Sequence, residues 1–355
     1  MKLLPSCVDY ITSIETPQLL KASTLQGGQV VLKNGKPLRY AGGFCVVFPY
    51  LLLTGKKVAV RCWIAHVQDA DKRSYQISKQ LKISGLPYFV GFDYIPNGIA
   101  TSIGVFPIVI MDWIDAMPLK DYIKCHIANS DCLNELADHF LQMVKDLHKV
   151  GFSHGDLQHG NIMVDHNGRI FLVDYDSMFV PGLEGVIDEI KGLSGYQHPG
   201  RNKLEYLSPK TDYFSELIIY TSILALAKYP FLWSELEIED TETLIFSQAD
   251  IDNPKGALIF RRLFEDSDLS QCAEAIIAAL MESNIENLLP LELAISPVSS
   301  KITEDLQKKW KHRPVLEIKQ NSPDINGLKS KWERNLPQCT SEPLNISNIT
   351  TKWRK

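Results

Sequence analysis

Short apolar runs punctuated by turn residues fill the first hundred or so positions. Val30-Val31-Leu32 stops at Asn34-Gly35, a dipeptide suited to a hairpin turn because both residues tolerate positive φ. Phe44 to Leu53 stops at Gly55, and Val58 to Ile64 follows. This alternation predicts a small antiparallel sheet. From Ala70 to Ile83 polar residues are interleaved with Tyr75, Ile77 and Leu81, which predicts a moderately amphipathic helix ended by Gly85 and Pro87. Strands are expected to return at Tyr88 to Tyr94 and Phe106 to Trp113.

Beyond Asp115 the period changes. Leu136, Phe140, Met143, Val144 and Leu147 share one helical face, with Asp138, Lys145 and Asp146 away from it. Ile162-Met163-Val164 and Ile170 to Val173 flank Asp165-His166-Asn167-Gly168, a hairpin. Residues 212–227 are apolar nearly all round, the signature of a buried central helix, and Ala273 to Leu289 reads as another helix. The fold class is α+β, with a small β-rich lobe carrying one helix over residues 1–112 and a mainly helical lobe over 113–296.

From 297 to 355 the composition shifts to Ser, Lys, Asn and Pro, as in a flexible appendage. Leu306-Gln307-Lys308-Lys309-Trp310, Leu328-Lys329-Ser330-Lys331-Trp332 and Ile349-Thr350-Thr351-Lys352-Trp353 share an aliphatic residue, three spacers ending in Lys, and Trp, recurring every 21 to 22 residues. An exposed Trp in a polar tail is costly without a partner. Repeated docking motifs for another protein are therefore expected, the alternative being that the tryptophans tack the tail to the domain.

Composition narrows the function classes. A net charge of -5 gives no basic field, so no nucleic-acid partner is implied. No apolar run approaches a membrane span, and Met1 to Tyr10 makes a poor signal peptide. The seven cysteines are odd in number and never form a C-x-x-C pair, which reads as reduced thiols in a cytoplasmic protein.

The chemistry concentrates in His154-Gly155-Asp156-Leu157-Gln158-His159-Gly160-Asn161, followed by Phe171-Leu172-Val173-Asp174-Tyr175-Asp176. An Mg-nucleotide reaction needs one carboxylate to orient an attacking hydroxyl, and one carboxylate plus one amide oxygen for metal. Asp156, Asn161 and Asp174 supply that set. With these residues the chain resembles the protein kinase-like superfamily over about residues 38 to 290, most closely its atypical bacterial members with an H-G-D-L-x-H-G-N loop. By this resemblance Asp156 is the catalytic base, and Asn161 and Asp174 are metal ligands.

The resemblance extends upstream with departures. Tyr40 to Phe48 is similar to a degraded glycine-rich loop that keeps only Gly42 and Gly43. Val58-Ala59-Val60-Arg61 stands where V-A-I-K is usual, so Arg61 replaces the phosphate-binding Lys. Between Lys72 and Asp93 the following helix offers Gln76 and Gln80 but no Glu or Asp to pair with it. Ile108 to Ile114 looks like the strand entering the hinge, with Met111 as gatekeeper and backbone groups of Asp112 to Ile114 on adenine. Gly155 replaces the Arg that usually grips a phosphorylated activation loop, and Asp176 replaces the Gly of D-F-G. Asp212 resembles the helix-start Asp that holds the catalytic-loop backbone.

The resemblance implies a two-lobed fold with nucleotide in the cleft, ATP and Mg²⁺ as cofactors, and an atypical serine/threonine-type protein kinase acting on a protein hydroxyl. The alternatives are a pseudokinase scaffold that recruits partners through its Trp-bearing tail, and a small-molecule kinase, for which the span from 175 to 295 is short.

Overall fold

The computed structural model describes residues 3–296. The tail with Trp310, Trp332 and Trp353 lies outside the described residues. Among those described, the chain divides into two compact units, one of residues 3–115 with Val180–Val186, the other of 116–179 with 187–296.

The first unit opens with helix α1 (Cys7–Glu15), begun by a capping box in which the Ser6 hydroxyl and the Asp9 carboxylate satisfy each other's backbone N–H. Strands β1 (Gln29–Val30), β2 (Leu32–Lys33), β3 (Lys36–Pro37), β4 (Tyr40–Ala41), β5 (Cys45–Leu51) and β6 (Lys57–Trp63) follow, then α2 (Ala70–Ser84), β7 (Phe92–Thr101) and β8 (Gly104–Asp112). The main sheet is antiparallel, in the order β1-β5-β6-β8-β7. Asn34 and Gly35, both at positive φ, turn β2 into β3 as the dipeptide predicts. The core lies on one side, where Tyr10, Ile14 and Leu25 pack on Phe48, Tyr50, Val60, Ile108 and Ile110. Helix α2 matches the expected amphipathic segment and ends on Gly85.

Strand β7 departs from the expected Tyr88 to Tyr94. It begins later and runs through Pro96-Asn97-Gly98, where the register shifts between Ile95 and Ile99. A bulge therefore absorbs a triplet that reads as a turn. Gly98 is required there, since a Cβ would lie 2.3 Å from Ile108 Cγ1.

The second unit carries β9 (Met117–Pro118), α3 (Leu119–His126) and α4 (Ser130–Val150), then the hairpin β10 (Ile162–Val164) and β11 (Ile170–Leu172). Helix α5 (Tyr213–Lys228) is buried nearly all round, as its sequence predicts. Helices α6 (Leu232–Glu235), α7 (Gln248–Asp252), α8 (Leu258–Phe264), α9 (Ser270–Met281) and α10 (Leu291–Ala294) complete it. The expected helix over Ala273 to Leu289 is two pieces, because α9 stops at Met281 and a separate 3-10 turn covers Ile285–Asn287.

His148 on α4 bridges α5 and α10. Its Nε2 is 3.0 Å from Glu216 and its Nδ1 is 3.1 Å from Glu292. Burial pulls the imidazole pKa down, but the two carboxylates outweigh it and raise the value to about 9.

No helix among the described residues is long and apolar enough to cross a membrane. Cys7, Cys45, Cys62, Cys132 and Cys272 are free thiols.

Candidate active site

The loop residues 154–161 of the second unit are braced from several directions. Asp212, at the start of α5, accepts hydrogen bonds from the backbone N–H groups of His154 and Gly155, the latter at 2.9 Å to Oδ1. Burial is the largest influence on Asp212 and pushes its pKa up to about 6, against the opposing pull of His154 and Arg201. His154 is buried and its Nε2 donates to the Val173 carbonyl at 2.9 Å. It is thus a packing residue of the loop, with the edge of its ring toward Tyr175.

Gly155 has φ +77°, and a Cβ there would sit 2.1 Å from the Ser177 carbonyl oxygen. The absent arginine therefore has a local steric cause: no side chain fits this backbone.

Asp156 is oriented at both carboxylate oxygens. The Asn161 Nδ2 donates to Oδ2 at 2.9 Å and to the Asp156 carbonyl at 2.7 Å. The Leu193 N–H donates to Oδ1 at 2.9 Å. Gly192, at φ +78°, lets this happen, since a Cβ there would be 2.9 Å from Oδ1. The carboxylate is thus fixed in direction while each oxygen keeps a second lone pair.

Asn161 is buried, and its carbonyl accepts the Val173 N–H at 3.0 Å. That bond draws the strand carrying Asp174 toward the loop carrying Asn161. Asp174 is at φ 69°, ψ 73°, a left-handed conformation that Asp adopts more readily than most residues. The next residue, Tyr175, is buried and donates its hydroxyl to the Leu172 carbonyl at 2.7 Å. The backbone therefore turns sharply at Asp174 while Tyr175 anchors the turn.

In the first unit the sheet register sorts the candidate residues. Val58, Val60 and Cys62 point into the core, so Ala59 and Arg61 face the other side of the sheet. Arg61 lies opposite Val47 on β5 and Val109 on β8, and Met111 lies opposite Ala59. Arg61 and Met111 thus share one face with Val47, which itself packs with Tyr40 and Cys45. Arg61 is 3 % exposed, and its guanidinium stands 5.7 Å from the Trp63 ring centroid.

Gly42 N–H donates to the Cys45 carbonyl at 2.9 Å, making Gly43-Phe44 a two-residue turn between β4 and β5. Of the hinge residues, Asp112 donates its N–H to the Gly91 carbonyl at 3.1 Å and Trp113 donates to Lys57 at 3.4 Å. The Asp112 carboxylate pairs with Lys56 at 2.6 Å. Ile114, just after them, has no backbone acceptor for its N–H among the described residues.

Gln76, in the helix where an acid would be usual, donates its Nε2 to the Pro181 carbonyl at 2.6 Å. Gly182, at φ +95°, leaves room for it. An amide thus ties α2 to Val180–Val186. Sequence reasoning gave this residue no role, because an amide–carbonyl contact across 105 positions leaves no local pattern. The Leu193 N–H on Asp156 and the buried Asp188–Arg201 pair were equally silent, since both lie in irregular chain.

A family model described as the ABC1 atypical kinase-like domain matches residues 94–180. The matched stretch runs from within β7 through Asp156, Asn161 and Asp174. Among curated proteins nothing matches the chain. Over that quarter of the chain the likeness is to an atypical kinase-like domain, and the cross-braced loop and the hairpin are consistent with it.

Proposed function

We propose that the chain is an ATP- and Mg²⁺-dependent kinase of atypical type that transfers phosphate to a serine or threonine hydroxyl of a protein. The observation that carries this reading is the Asp156 carboxylate, held at one oxygen by Asn161 and at the other by the Leu193 N–H. A base must be aimed before it can accept a proton in the transition state.

The donor set fits a magnesium ion. Among the described residues no cluster of three His, Cys, Asp or Glu side chains could cage a metal. Mg²⁺ is held instead by one or two protein oxygens, with water and phosphate completing its shell. Because Asn161 spends its Nδ2 on Asp156, its Oδ1 together with the Asp174 carboxylate would hold the metal. ATP–Mg²⁺ supplies the reactive phosphorus and the neutralisation of its oxygens. The chain's own work is to orient the acceptor hydroxyl at Asp156 and take its proton there. Arg61 offers phosphate a fixed positive charge, and Met111 with the Ile114 N–H borders the adenine side.

A second reading is a pseudokinase scaffold. The pairing of Gln76 with the Pro181 carbonyl favours it, because no acid takes the place of the usual partner of the phosphate-binding cation. A thermal melt with and without ATP–Mg²⁺ separates the two without a known substrate. A ligand at a thousandfold excess over Kd stabilises the native state by about 4 kcal/mol. A magnesium-dependent shift that Asp174→Asn abolishes supports the kinase reading. No shift in either protein sinks it and leaves the scaffold.

A further inference from the structure

A buried ion pair lies in the segment that follows Asp174. Asp188 and Arg201 are 2 % and 1 % exposed. The Arg201 Nη2 donates to Asp188 Oδ1 at 2.9 Å, and Nε stands 2.8 Å from Oδ2 as an ion-pair contact. The same Nη2 reaches the Gly155 carbonyl at 3.2 Å and the Ile190 carbonyl at 3.3 Å. Lys191 closes the group, with Nζ 3.1 Å from Asp188 Oδ2 and 2.6 Å from the Leu204 carbonyl. A buried pair of this kind is weak evidence for stability, since apolar residues of equal volume often serve as well. Its contacts therefore call for another explanation.

The Arg201 contacts lead to Asp156. Gly155 directly precedes it, and with its N–H on Asp212 and its carbonyl on Arg201 the peptide unit on each side of that glycine is fixed. Ile190 and Asp188 lie three and five residues before Leu193, whose N–H aims the Asp156 carboxylate. One guanidinium therefore ties down both the loop that carries the base and the segment that points it.

We propose that Arg201 is a positioning residue for the reaction, holding the Asp156 carboxylate through Gly155 on one side and through residues 188–193 on the other. The Asp188 carboxylate is its built-in partner, so the segment is set without phosphorylation. This rests on the reading of Asp156 as the group that orients the acceptor.

The test is Arg201→Lys in the full chain. A lysine can keep the ion pair with Asp188, but its shorter stem leaves the nitrogen short of the place of Nη2, from which both carbonyls are reached. The readouts are phosphate transfer, the thermal midpoint, and hydrogen exchange of peptides covering 152–158 and 188–195. The expected result is a KM for ATP within about threefold of wild type, with kcat down by about 10²-fold, as a misaimed catalytic group gives. Exchange should rise in both peptides while α4 and α5 stay protected. A kcat within about threefold of wild type, or unchanged exchange in the two peptides, overturns the proposal. If Arg201→Lys does not fold, Asp188→Asn is read by the same criteria. If wild type binds no ATP–Mg²⁺ and transfers no phosphate, the kinase reading fails by itself, and the exchange comparison still decides whether Arg201 anchors the loop. Phosphatase-treated protein and Ser194→Ala should both keep wild-type activity. A loss on dephosphorylation would show that a phosphate, not Asp188, sets the segment.

Discussion

Asp156 in the second unit is aimed by an amide from Asn161 and a backbone N–H from Leu193, and its loop is pinned by Asp212 and Arg201. In the first unit Arg61 and Met111 owe their placement to strand register, and Gly42-Gly43 to a two-residue turn. Register fixes a face but not the angle of a side chain, whereas converging hydrogen bonds fix both. The second unit thus keeps a geometry in which a small error would matter. The first keeps a charge and a surface, which tolerate replacement.

Substitutions can break that contrast or sharpen it. The largest effect is expected at Asp156. Asp156→Asn should cut phosphate transfer by about 10²–10⁴-fold, the range for losing a general base, with the ATP–Mg²⁺ melting shift retained. Equal activity in this variant would remove the base from the mechanism.

Adding one methyl group in each unit makes a matched pair. Gly155→Ala meets the Ser177 carbonyl at 2.1 Å at positive φ and should destabilise the fold by about 3 kcal/mol or more in urea titration. Gly43→Ala, at an exposed position that is not among the positive-φ residues, should change stability by only about 0.5 kcal/mol. Similar values at both sites would erase the contrast.

A pH titration probes the second unit's helices. His148 has a folded pKa raised from 6.5 to about 9. Its stabilisation is therefore fully present below about pH 6.5 and is lost as pH rises through about 9, by up to about 3 kcal/mol. Urea midpoints at pH 6 and pH 9.5 should differ in this direction, and the difference should shrink in His148→Gln. The smallest catalytic effect is expected in the first unit. Arg61→Met keeps the packing of the stem and removes the charge, and should raise the KM for ATP about tenfold. An unchanged KM would mean phosphate is held by other groups.

Elements with a strong period were legible in the sequence. The face of α4, the all-round burial of α5 and the Asn34-Gly35 turn each follow from a local pattern. The bulge in β7 was not, because Pro96-Asn97-Gly98 has the composition of a turn, and distant groups hold it: Ile108 packs against Gly98 and the Lys21 and Ala22 N–H groups donate to its carbonyl. Helix α1 was readable in principle from Ser6 and Asp9, three residues apart. At the candidate site the residue types of Asp156, Asn161 and Asp174 carried the signal. The groups that aim them did not, since Leu193 acts through its backbone and Arg201 through carbonyls.

Gly155 also fixes what an engineer can do next. Restoring an arginine there by one codon change would not graft a phosphate-operated switch onto the loop. Its Cβ would strike the Ser177 carbonyl before the guanidinium could reach any anion. A single substitution does not suffice, because the backbone at 155 and 177 would have to move first, and moving it would release the Asp212 grip on the same peptide. Inducible control of this chain would have to be built elsewhere.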